Sequence, residues 1–217
     1  MTEQDIVGKQ QVSQQFGFVQ TDAALLVFIK NPIPGKVKTR LARTVGDAEA
    51  LRIYRVLMEK TRVAALATAV QRWLFYSDAI DRNDDWPEAA FQKFVQQGDD
   101  LGARMADAFR QAFAAGAGRV AIIGSDCPAL TGVVLNKAFA RLDTHDFVLG
   151  PTPDGGYYLL GMRAFEPAVF ENIAWSTDTV RETTLQKIVL LSKTCALLPE
   201  YSDVDTEADW LAEQGKF

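Results

Sequence analysis

The sequence predicts an α/β fold of three layers, with helices on both faces of a mostly parallel sheet. Short, unbroken apolar runs at residues 23–29 and 120–123, each closed by turn residues, read as strands buried on both faces. Helical patterns alternate with such runs along the chain. Both runs also end in loops that carry charge, and open α/β sheets bind their ligands just past the carboxyl ends of the strands.

Composition sets bounds on this reading. A chain of 217 residues suffices for one sizeable core, and a single domain over residues 23–217 with a polar, Gln-rich tail or appended segment at 1–22 is expected. Hydrophobic residues at 48% and charged residues at 24% are ordinary for a globular protein. A net charge of −5 argues against a general nucleic-acid binder. No apolar run approaches the roughly 20 residues of a membrane-spanning helix, and the first residues lack a secretory pattern. The two cysteines, Cys127 and Cys195, have no metal-type spacing. Together these point to a reduced, cytoplasmic protein.

The first strand, 23–29, runs directly into the stretch 30–43, K-N-P-I-P-G-K-V-K-T-R-L-A-R. Pro32, Pro34 and Gly35 predict a shaped loop here and no helix. Between Ala23 and Gly46 there is no acid, yet there are five bases: Lys30, Lys36, Lys38, Arg40 and Arg43. Lysine as a mobile point charge and arginine as a planar fork suit a diphosphate, with a merely solvated loop as the alternative. Neither the P-loop nor the dinucleotide glycine pattern occurs. Asp47 is expected to cap a helix over 48–70, on which Leu51, Tyr54 and Met58 share a face. Residues 72–77 form the second strand, 78–88 a polar surface excursion, and 91–95 a short strand. A helix then buries Leu101, Met105, Ala108, Phe109 and Ala112. Gln97 and Gly98, at the strand-to-helix turn before it, are positioned to meet a nucleobase.

Residues 119–128, R-V-A-I-I-G-S-D-C-P, form the stretch on which the chain centres. Asp126 lies just past the carboxyl end of the strand, where it either caps the next helix or binds a divalent cation, Mg²⁺ or Mn²⁺, beside a phosphate. A helix over 130–142 and a strand over 146–150 follow. Asp154-Gly155-Gly156 reads equally as a tight hairpin and as an acid with two glycines facing a ligand. The stretch 175–178 is expected to open a helix capped by Ser176 or Thr177, and 194–198 is a last strand. Near the end, Thr206 and Asp209 form a helix-start pair, which leaves Asp205 free for another task. His145, the only histidine, is given no role.

K-N-P-I-P-G-K-V-K-T-R-L (30–41), Q-G-D-D-L-G-A-R-M (97–105), G-S-D-C-P (124–128), P-D-G-G-Y-Y-L-L-G (153–161), W-S-T (175–177) and D-V-D-T-E-A-D-W (203–210) occur in this order. So arranged, they resemble the nucleotide-diphospho-sugar transferase superfamily, of the glycosyltransferase-A-type fold. Within it they are most similar to a bacterial glycosyltransferase-like family associated with radical-SAM or selenoprotein gene clusters. The resemblance implies a metal-dependent transferase that uses a nucleotide sugar and a small-molecule acceptor. It makes Asp126 and Asp205 ligands of Mg²⁺ or Mn²⁺, with Lys30, Gly35, Lys38, Arg40, Gln97 and Gly98 around the nucleotide. Asp154 would be the catalytic base, and Gly155 and Gly156 would contact substrate. The usual Asp-x-Asp motif is missing, and K-V-K-T-R-L is similar to a stretch of phospholactate guanylyltransferases. Nucleotidyl transfer from a nucleoside triphosphate to a phosphorylated acceptor is therefore a second reading, and a non-catalytic nucleotide-binding module a third.

Overall fold

A computed structural model describes residues 21–214, so most of the expected N-terminal tail and the last three residues lie outside the described residues. Apolar runs with no polar face can only be satisfied between two layers, and they form the middle of the sheet. Strand β1 (Ala23–Ile29) and strand β4 (Arg119–Ile123) are paired and parallel. Strands β2 (Gln71–Tyr76) and β3 (Gln92–Val95) extend the sheet on one side. On the other lie β6 (Tyr157–Met162), β5 (Phe147–Pro151) and β7 (Cys195–Leu197). Among the described residues the sheet has seven strands in the order β3-β2-β1-β4-β6-β5-β7, with β6 alone antiparallel to its neighbours. Strand β4 is in the middle, as expected of the stretch 120–123.

Successive residues of β1 serve two cores, as the two-residue period of a strand requires. Ala23, Leu25, Val27 and Ile29 meet helix α2 (Asp47–Leu66) and helix α4 (Gly132–Arg141) on one face. Ala24 and Leu26 point to the other face, toward helix α3 (Leu101–Ala114) and helix α5 (Val180–Leu190). A smaller cluster joins helix α1 (Thr39–Val45), α2 and helix α6 (Glu207–Gln214) through Leu41, Ile53, Leu57, Val204 and Trp210.

Four local expectations are corrected. The loop after β1 gives way to a helix from Thr39, because the prolines and Gly35 shape only residues 32–35 and T-R-L-A-R-T-V is free to coil. Asp47 is the first residue of α2, and Gly46 precedes it as the cap without a side-chain bond. Leu101 is exposed at the first position of α3, which is capped by Asp100 through the Ala103 amide, whereas Met105, Ala108, Phe109 and Ala112 are buried as predicted. Helix α5 starts only at Val180, because the Thr177 hydroxyl turns back to the Ala174 carbonyl and Ser176 has a left-handed backbone. No helix among the described residues is long and apolar enough to cross a membrane.

Candidate functional site

The parallel strands bring their carboxyl ends to one edge, and the chain then returns to that edge. After β7 it runs back across the sheet: Leu198 donates to the Leu149 carbonyl, Tyr201 to Pro151, and Val204 to Asp126. The Tyr158 hydroxyl donates to the Pro199 carbonyl and its ring lies 5.4 Å from that of Tyr201. Val204 is fully buried between α1, α2 and α6, a burial worth about 1.5–3 kcal/mol for a valine. That anchor sets its neighbours Asp203 and Asp205 beside Asp126.

Lys38 meets them from the other side. Its side chain is only 4% exposed, and its ammonium lies 2.8 Å from Asp126 Oδ1 and 3.3 Å from Asp205 Oδ1. Both carboxylates remain partly open, at 42% and 44% exposure. The Lys38 backbone is left-handed, with φ 47° and ψ 44°, which costs a non-glycine residue about 1–2 kcal/mol. Arg40 reaches the second oxygen of Asp205 from solvent, at 3.4 Å. Thus four of the predicted residues, Lys38, Arg40, Asp126 and Asp205, form one cluster. Asp126 is not a helix cap: α4 is capped by Thr131. Thr206 and Asp209 make the expected helix-start pair, with Asp209 Oδ2 accepting from the Thr206 amide and hydroxyl.

The remaining predicted residues stand apart from these contacts. Lys30 contributes its backbone: its amide donates to the Tyr54 hydroxyl, which in turn donates to the Lys30 carbonyl. Ser125 Oγ donates to the same phenol, so Tyr54 joins the basic loop to the residue before Asp126. Burial pushes the Tyr54 phenol well above the ordinary tyrosine range, and it stays neutral. Gly35 is exposed and adjoins Asp47. Gln97 and Gly98 are exposed past β3, with the Gly98 carbonyl accepting from Arg104. Asp154 is exposed at the tip of the β5–β6 hairpin, where its Oδ1 accepts from the Thr152 hydroxyl and the Gly156 amide. Gly155 is buried at φ 86°, and a Cβ there would stand 1.9 Å from the Asp178 carbonyl oxygen, so this glycine serves a close backbone approach. Gly102 likewise faces the Trp175 indole, with 2.4 Å left for a Cβ. The stretches 97–105 and 153–161 therefore both pack against 175–178.

Two residues were missed. Asp203 Oδ1 is buried without a hydrogen-bond partner, and burial, then the charge of Asp126, pushes this carboxyl up to about 7, against the opposing pull of Lys38. An apolar Val204 between two acids was the available signal, since alternation turns both acids to one side. Gln96 donates from Nε2 to the carbonyls of Ile29 and Phe75, tying the ends of β1 and β2. Cys127, buried and pushed up to about 12, is inert as a nucleophile. Among the described residues, no three His, Cys, Asp or Glu side chains form a ready-made metal cage.

The fold matches those of nucleotidyl and sugar transferases. A candidate nucleotide-diphospho-sugar transferase of Desulfovibrio desulfuricans G20 is similar at 34% identity over 86% of this chain and 84% of its own, with a TM-score of 0.80. The 4-diphosphocytidyl-2C-methyl-D-erythritol synthase of Anaerococcus prevotii DSM 20548 shares 9% identity over 90% and 99% of the two chains at a TM-score of 0.56. The 2-C-methyl-D-erythritol 4-phosphate cytidylyltransferase of Thermus thermophilus shares 14% over 89% and 97%, at 0.52. These last two are similar in fold alone. No curated protein matches the chain. Residues 60–177 match the model of a family of uncharacterised proteins conserved in bacteria, DUF2064. The chain belongs to that family.

Proposed function

We propose that this protein is a metal-dependent glycosyltransferase acting on a nucleoside-diphosphate sugar. One observation carries the reading: Lys38, Asp126 and Asp205 converge at the carboxyl edge of the sheet. The similarity to the Desulfovibrio protein supports it. A divalent cation suits this donor set, because two half-open carboxylates already face a cation, the Lys38 ammonium. Asp126 and Asp205 would hold it, with substrate phosphate oxygens completing its shell. Once bound, Mg²⁺ or Mn²⁺ would neutralise charge developing on the departing diphosphate.

The chain's own residues do the rest. Lys38 and Arg40 bind the diphosphate, and Gln97 and Gly98 border the base. The acceptor hydroxyl attacks the anomeric carbon while the bond from that carbon to the phosphate oxygen breaks. Asp154 takes the hydroxyl proton, and the nucleoside diphosphate leaves.

A specific observation also favours nucleotidyl transfer. Gly124 and Pro128, two residues to either side of Asp126, carry no carboxylate, and Ser125 is buried on Tyr54. Without an Asp-x-Asp pair, the two acids Asp126 and Asp205 with a lysine between them suit attack on an α-phosphate equally well. Product analysis separates the two. The protein with Mg²⁺ is offered a panel of nucleotide sugars and, separately, of nucleoside triphosphates with candidate acceptors. Asp126-dependent release of a nucleoside diphosphate from a sugar donor supports glycosyl transfer. Pyrophosphate release from a triphosphate replaces it with the second reading, and loss of neither signal in D126N overturns both.

A further inference from the structure

A lysine that serves only to hold phosphate has no need of a partner before phosphate arrives. Arg40 fits that description, exposed and 3.4 Å from one carboxylate oxygen. Lys38 does not: it is almost fully enclosed, and its ammonium touches Asp126 Oδ1 and Asp205 Oδ1 at once. Those two carboxylates would hold the proposed divalent cation, and an ammonium between them would repel it.

We propose that Lys38 is the tethered counter-ion of this site in the nucleotide-free protein, and that a divalent cation enters by displacing it. The inference rests on the metal reading of Asp126 and Asp205. In the free protein the ammonium offsets three clustered acids, Asp126, Asp203 and Asp205, which would otherwise repel. A metal alone must break two charge-assisted contacts and leave the ammonium without an anion. A metal arriving with a diphosphate gives the released ammonium a new partner. The metal and the diphosphate therefore help each other to bind, by the same factor in both directions. Lys38 precedes the first residue of α1, so a turn of its side chain about its own bonds leaves α1 in place.

The test is Mn²⁺ binding, followed by calorimetry and by the resonance of free Mn²⁺. The probe is Mn²⁺ alone and Mn²⁺ with pyrophosphate, which needs no knowledge of the base. In K38M and K38Q, Mn²⁺ alone should bind roughly tenfold tighter or more than to wild type, the scale of losing one competing charge in contact. Pyrophosphate should tighten Mn²⁺ in wild type and do so far less in the variants. A wild-type measurement stands beside these in case the variants do not fold. Amine labelling read by mass spectrometry should find Lys38 protected in the free protein and reactive once Mn²⁺ saturates it. Folded variants that bind Mn²⁺ no tighter, or a Lys38 that stays protected under saturating Mn²⁺, overturn the displacement. If wild type with pyrophosphate still binds Mn²⁺ through Asp126, the metal site survives that failure. Absence of Asp126-dependent Mn²⁺ binding under every condition overturns both.

Discussion

Lys38 and Lys93 both have enclosed ammoniums, and they are buried in different company. Lys93, on β3, is 5% exposed and donates to Asp84 Oδ1 at 2.6 Å and to the Asp81 carbonyl at 2.9 Å. Its partner Asp84 is itself only 12% exposed and also accepts from the Tyr76 hydroxyl. One acid meets one base, and the network fastens the excursion over 78–88, whose Trp86 is buried edge-on against Phe91 at 4.9 Å. Lys38 is equally enclosed, yet it faces three acids, two of them half open, and one buried carboxylate oxygen has no partner. A closed network holds structure. An open one with surplus charge is poised for a ligand, and natural sites keep such costs where function needs them.

The comparison breaks most visibly at Lys93. K93M removes one half of a buried pair and strands Asp84, so it should lower stability by about 3–5 kcal/mol. Chemical denaturation would measure this. A loss below about 1 kcal/mol would place Lys93 with the surface ion pairs and remove the contrast.

Arg40 is next. R40A should weaken diphosphate or nucleotide binding by about 1.5–3 kcal/mol, the worth of hydrogen bonds to a charged group. Its melting temperature should hardly move, since the side chain is exposed and its contact with Asp205 is long. Calorimetry that finds unchanged affinity would reduce the basic loop to a solvated one.

How far all this could be read in advance follows from the kind of signal each part carries. Strands β1 and β4 were legible because burial on both faces leaves an unbroken apolar run. Helix α1 was not, because its seven residues adjoin two prolines and a glycine whose turn chemistry dominates a local reading. Lys38, Asp126 and Asp205 were each named from local chemistry and motif. Their mutual contact depends on the return of residues 198–205 across the sheet, which no local pattern encodes. Asp203 was overlooked because the Thr206–Asp209 pair explained that stretch well enough, and the alternation around Val204 went unused.

Asp203 also supplies the smallest and most discriminating test. Its carboxyl is pushed up to about 7 by burial and by the Asp126 charge, above the range it holds in the unfolded chain. Between those two values the folded protein keeps a proton that the unfolded chain has released. Stability of the metal-free protein therefore falls as pH rises through that window, and the loss is complete above about 7. D203N cannot ionise and escapes this dependence. It should be more stable than wild type at pH 8 by ~1–2 kcal/mol, well under the full cost of a shift of this size because neighbouring charges relax. Near pH 4 the difference should vanish, since wild-type Asp203 is then protonated in the folded state. Lys93 and Asp84, one charge against one, should impose no comparable penalty on D84N, which ought to lose stability at pH 8 and not gain it. Parallel denaturation curves at the two pH values decide the matter. A D203N protein that gains nothing at pH 8, or gains equally at pH 4, would mean that the surplus charge beside Lys38 is no burden to the fold.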